Sequence, residues 1–228
     1  MPRTPQCPAW EDRPVNVLGL VQLCATAQPA GGYSHTFGIE QLARSGRLQT
    51  PEQLAELVHG VLCSTIGPAD GVASGIAFRA ARQSNFERLP ELCATLSSDR
   101  LPLPLRLASL QMGQRLWGVS RNWEWASSVH QQFDAMAVRT DLHHAVAFGA
   151  LVSETTSSQI RAIATYLFNT ARSIVLAAVD AIPLDEITGQ RVLSDMQPAI
   201  TELAAACADK NPADIAAFNR GPIPPLFP

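Results

Sequence analysis

Apolar residues recur every three or four positions through nearly every segment between residues 15 and 210, while alternation of apolar with polar never persists beyond about five residues. That periodicity predicts helices and leaves no material for a sheet. The clearest case starts at Thr50-Pro51-Glu52-Gln53, which offers a hydroxyl for the N-cap, proline at the first helical position and a glutamine three residues on, a capping box. Leu54, Leu57, Val58, Val61, Leu62 and Ile66 then fall on one helical face.

The same reading places further helices along the chain. Leu18, Val21, Gln22 and Ala25 make a short one, which Pro29 and Gly31-Gly32 end, and Ile39, Leu42 and Ala43 begin the next. Residues 70–82, rich in Ala and Gly, predict close packing against a neighbour. Residues 101–119 and a short apolar segment, 142–152, around His143 and His144 follow. The longest stripe runs from Ile160 through Ile163, Leu167, Ala171 and Ile174 to Ala178 and stops near Pro183. Two last segments, Thr188 to Met196 and Ala199 to Cys207, are separated or kinked by Pro198. The expected architecture is all-α, a single-domain bundle of roughly eight to ten helices. Its expected boundaries are a flexible arm at 1–14 carrying four prolines, a helical domain at 15–210 and a Pro-rich tail at 211–228.

Composition narrows the function. A formal charge of −3 provides no basic field for phosphates, which argues against nucleic acid and against an anionic membrane surface. The five cysteines are widely spaced with no CxxC pair, as expected of reduced thiols in a cytoplasmic protein. The longest apolar run, Ile174 to Val179, is far short of the ~20 residues a membrane span needs.

Several stretches invite a chemical reading. In "AQPAGGYSHTFGIE", Gly31 and Gly32 permit a sharp reversal and Ser34 can cap a helix starting near His35 or Thr36. Neither GxGxxG after a strand, nor GxxxxGK[ST], nor GxSxG is present, so nucleotide and serine-hydrolase sites have no motif here. His143 and His144 are adjacent and diverge by about 100° on a helix, so they do not chelate one ion together, although either is free to join His35, His130 or Asp141 through the fold. Trp123 and Trp125 are either an interface anchor or the cover of the bundle's end. Gly189 within "ITGQRVL" implies close approach of another backbone, since glycine costs about 1 kcal/mol in a helix relative to alanine.

Four blocks in order resemble the urease accessory protein F family: "LVQLCATAQPAGGYSHTFGIEQL" (residues 20–42), "LASLQMGQRL" (107–116), "HHAVAFGAL" (143–151) and "AAVDAIPLDEITGQRVLSDMQPAI" (177–200). The resemblance implies an all-α protein, usually a homodimer, with no cofactor and no catalysis of its own. Its expected partners are the accessory protein called D or H, the nickel-carrying GTPase G and apo-urease, with GTP hydrolysis coupled to nickel insertion. Partner-binding candidates on the matching blocks are Gly31, Gly32, Tyr33, Ser34, His35, Glu40, Ser109, Met112, Gly113, His143, His144, Gly189 and Gln190. Asp185 stands where the family often has glycine, and Phe218 with Asn219-Arg220 replaces its Met-x-His-Glu segment. Two alternatives remain: a metal-assisted hydrolase using His35, His143 or His144, and a divergent paralogue serving as an interaction subunit of another complex.

Overall fold

A computed structural model of the chain describes residues 16–27, 38–97, 103–136 and 140–220. These fold into helices alone: α1 (Val17–Thr26), α2 (Ile39–Arg44), α3 (Pro51–Arg82), α4 (Arg88–Leu96), α5 (Leu103–Ser120), α6 (Ser127–Asp134), α7 (His144–Val152), α8 (Gln159–Ala181), α9 (Glu186–Ala208) and α10 (Pro212–Arg220). The expected all-α bundle is what forms.

The starts follow local chemistry. At α3, the Thr50 hydroxyl accepts from the Gln53 amide at 3.3 Å and the Gln53 side chain accepts from the Thr50 amide at 3.2 Å, closing the capping box. Gly38 precedes α2 at φ 65°, a left-handed conformation that suits a residue without Cβ. Asp185 caps α9 by accepting from the Thr188 amide at 2.7 Å, which holds its carboxyl below the usual range.

Two prolines lie inside helices. Pro68 lies in a wide, π-helical stretch of α3, Leu62–Gly71, whose looser turn seats a ring that would clash in an α-helix. Pro198 is exposed and sits inside a continuous α9, so the two segments expected to be separated or kinked there form one helix. Part of the expected tail is also ordered, because α10 buries Ile215 completely and packs Phe218 against the core.

α8 and α9, 23 residues each, pack along their length. The inner half of α3 packs on α7, and α5 closes over α7 from another side. Where α3 meets α7, a Cβ on Gly149 would overlap the Ser74 carbonyl and lie 2.9 Å from the Ala77 Cβ, so glycine sets this contact. Phe148 and Tyr166, both fully buried with ring centroids 5.3 Å apart, fill the space beside it. Each contributes about 1.5–3 kcal/mol of hydrophobic burial. Helices α3 and α8 are long and apolar enough to cross a bilayer, but most of their apolar stretches lie inside the protein.

Helix α1 turns an unexpected face inward. Gly19 and Leu23 are buried, whereas Leu18 is 82% and Val21 60% exposed. Trp123 and Trp125 stack at 5.1 Å, with Trp123 buried and the Trp125 indole N–H donating to the Gln22 side chain of α1 at 2.9 Å. They serve as packing between α1 and the loop before α6.

Candidate functional site

The structure brings four of the candidate residues together at one end of the bundle. Gly113 of α5 lies beneath the backbone of residues 142–144: a Cβ there would overlap the Leu142 carbonyl and approach the His144 nitrogen to 2.9 Å. Only glycine admits the chain this closely. One turn earlier on α5, the Ser109 hydroxyl accepts from the His144 amide at 3.4 Å and stands 3.0 Å from His143 Nδ1. The other ring nitrogen of His143, Nε2, is hydrogen-bonded to the Ser97 hydroxyl at 2.8 Å, so both ring nitrogens meet hydroxyls. Arg106 completes the arrangement by donating to the Ser97 carbonyl at 2.9 Å.

His143 is thus held between two hydroxyls in extended backbone just before α7. Burial pushes its pKa down to about 4, and the Arg106 charge adds to the shift, so the ring is neutral at physiological pH. His144, the first residue of α7, points elsewhere. Its Nε2–H donates to the Ala27 carbonyl at 3.1 Å, and the ring lies 5.6 Å from that of Tyr166. Burial lowers its pKa to about 4 as well, while the bond to Ala27 pulls the other way. Its Nδ1 is buried without a hydrogen-bond partner.

The two histidines therefore tie α7 to two different elements, the end of α1 and the end of α4. They do not converge on a point where an ion could sit. Among the described residues no group of three or more His, Cys, Asp or Glu has the geometry to hold a metal. Burial also raises the thiols of Cys24, Cys93 and Cys207 to about 11, which makes them inert as nucleophiles.

The other candidates scatter. Gly31, Gly32, Tyr33, Ser34 and His35 lie outside the described residues, as does the expected cap at Ser34. Glu40 is exposed and 3.6 Å from Arg44 one turn on. Met112 is half-buried against the core. Gly189 and Gln190 both lie within α9. Gly189 is buried, and a Cβ there would come within 2.9 Å of Val179 and 3.2 Å of Val175, so side chains of α8, not a backbone, require the glycine; Gln190 faces solvent.

Sequence reasoning missed the partners that give the histidines their roles, Ser97, Arg106 and Ala27. A serine and an arginine flanking Asp-Arg-Leu-Pro carry no local pattern, and a carbonyl carries none at all. It also missed Asp70, in the π-helical stretch of α3, whose carboxyl burial pushes up to about 7.

In this all-α protein His143 and His144 tie helix ends together, and Gly113 and Gly149 allow close approach of neighbouring backbone. The UreF family profile matches residues 48–197, about two-thirds of the chain. The chain belongs to the UreF family of urease accessory proteins. Similar curated relatives, each named urease accessory protein UreF, include that of Geobacillus kaustophilus, 26% identical with 83% of each chain covered. Those of Lachnoclostridium phytofermentans, 26% identical with 82% of each covered, and Kocuria rhizophila, 27% identical with 79% of this chain and 76% of the relative covered, are comparable.

Proposed function

We propose that this protein is a cytoplasmic urease maturation chaperone, a non-catalytic scaffold working as a homodimer. With the D/H accessory protein it recruits the GTPase G to apo-urease and couples GTP hydrolysis to nickel insertion. The observation that carries this reading is the family match over residues 48–197. The neutral, doubly bonded His143 supports it, since a ring with both nitrogens engaged has no lone pair for a metal or a substrate proton.

On this reading the buried candidates, Gly113, His143, His144 and Gly189, act by positioning, and partners touch the exposed ones. The stretch from Gly31 to His35 begins a few residues after Ala27, the residue His144 holds. Co-purification with the D/H protein and then with the GTPase tests the proposal. Stable capture of the D/H protein, and of the GTPase through it, is expected; capture of neither would refute it.

One observation favours a second reading, an interaction subunit of another complex. Ile215 and Phe218 pack α10 on its own core at the place where the family resemblance breaks down. In that case the chain binds neither partner and rescues no urease when supplied in their presence.

A further inference from the structure

Outside the histidine end, a pair of metal-ligating side chains stands together among the described residues. His59 and Cys63 lie one turn apart on the exposed face of α3, with Nε2 and Sγ 3.6 Å apart. Cys63 is the exposed cysteine among the described residues. Gly60, beside them on the helix, has nothing within 4 Å of the position a Cβ would take, so the helix surface there is open among the described residues. Glu56, one turn before His59, is exposed too.

The separation is compatible with tetrahedral coordination. Zinc-type bonds of about 2.3 Å to sulfur and 2.0–2.1 Å to imidazole nitrogen, set at the tetrahedral angle, place the two ligand atoms about 3.6 Å apart. A square-planar ion would need them at about 3 Å. The pair already has the tetrahedral bite without any rearrangement of the helix. The half-buried Gly60 costs about 1 kcal/mol in the helix relative to alanine, and among the described residues nothing lies within 4 Å of the position its Cβ would take.

We infer that His59 and Cys63 form a surface half-site for a tetrahedral, thiophilic divalent cation such as Zn²⁺, with water completing the coordination in the isolated chain. Binding releases the thiol proton to solvent and leaves a thiolate and a neutral imidazole on the ion. Two protein ligands make such a site labile, suited to passing a cation on or to being completed by a second chain. This site is independent of the partner-binding reading above and of His143 and His144.

Cobalt(II) added to the full-length protein is the probe, because a tetrahedral Co²⁺ thiolate gives an intense charge-transfer absorption that an octahedral aquo ion lacks. The wild type is expected to develop that band at one equivalent and to lose it when Zn²⁺ is added. Cys63→Ser should abolish it and His59→Ala should weaken binding strongly, with unchanged circular dichroism in both, since the two side chains are exposed. A wild type with no thiolate band, or a band that survives Cys63→Ser, would overturn the proposal and leave the contact as a simple S–H···N hydrogen bond.

Discussion

The crossing of α3 with α7 and the polar end where α5 meets residues 142–144 use one device for different ends. In both, a glycine lets another segment's backbone come closer than any side chain would allow, Gly149 against Ser74 and Gly113 against Leu142. Around Gly149 the space is filled by apolar atoms such as Ala77 and Phe148. Around Gly113 it is filled by hydrogen bonds from Ser109 and His143 to the ends of other helices. Apolar closure is indifferent to pH and resists any change of volume. Polar closure depends on the protonation of two imidazoles.

The largest effect separating the two regions should come from Gly149→Val. Its side chain meets backbone that cannot yield, so a loss of about 3 kcal/mol or more is expected in chemical denaturation, at every pH where the protein folds. A milder result would mean that α3 and α7 can slide apart.

Acid should strike the polar end selectively. Unfolded histidines take up protons near pH 6.5, whereas the folded His143 and His144 resist until about pH 4. Their contribution is complete above pH 6.5 and drains away as pH falls toward 4, by up to about 3 kcal/mol for each ring. Asp70 works in the opposite direction, because its folded carboxyl protonates near pH 7 and is relieved on acidification. Denaturation midpoints across this window should therefore fall less steeply in His143→Asn than in the wild type. They should fall more steeply in Asp70→Asn, which stabilises the protein most at alkaline pH.

Gly113→Ala comes next, at about 1–3 kcal/mol, since the 142–144 segment can lift where the core cannot. If the polar end positions the partner surface, this variant should bind the D/H protein less well at a temperature where it remains folded. Ser109→Ala is the smallest change, about 1 kcal/mol. It should remove the hydrogen bond at His143 Nδ1, a change that ¹⁵N NMR of the imidazole reads directly.

What the sequence disclosed tracks how local each cause is. The capping box at Thr50 involves four consecutive residues and formed as read. The stripe of α8 and the small residues of α3 were legible because packing partners need only be apolar or small. The continuity of α3 and α9 was not, since Pro68 and Pro198 are tolerated for reasons set elsewhere: a π-helical turn in one and solvation of the exposed face in the other. On α1 the stripe of Leu18 and Val21 faces solvent, while Leu23 and Gly19 are buried where α1 packs on α7. His143 and His144 could be singled out by type, but their opposite destinations depend on Ser97 and Ala27, 46 and 117 residues away.

The most direct trial of the scaffold account is an NMR titration of the histidine side chains in the intact protein. Two imidazoles, assigned by His143→Asn and His144→Phe, should stay neutral down to about pH 4 and remain unmoved by added Ni²⁺. Titration of either ring near pH 6.5, or a stoichiometric nickel-induced shift at both, would mean that this pair does chemistry and not positioning.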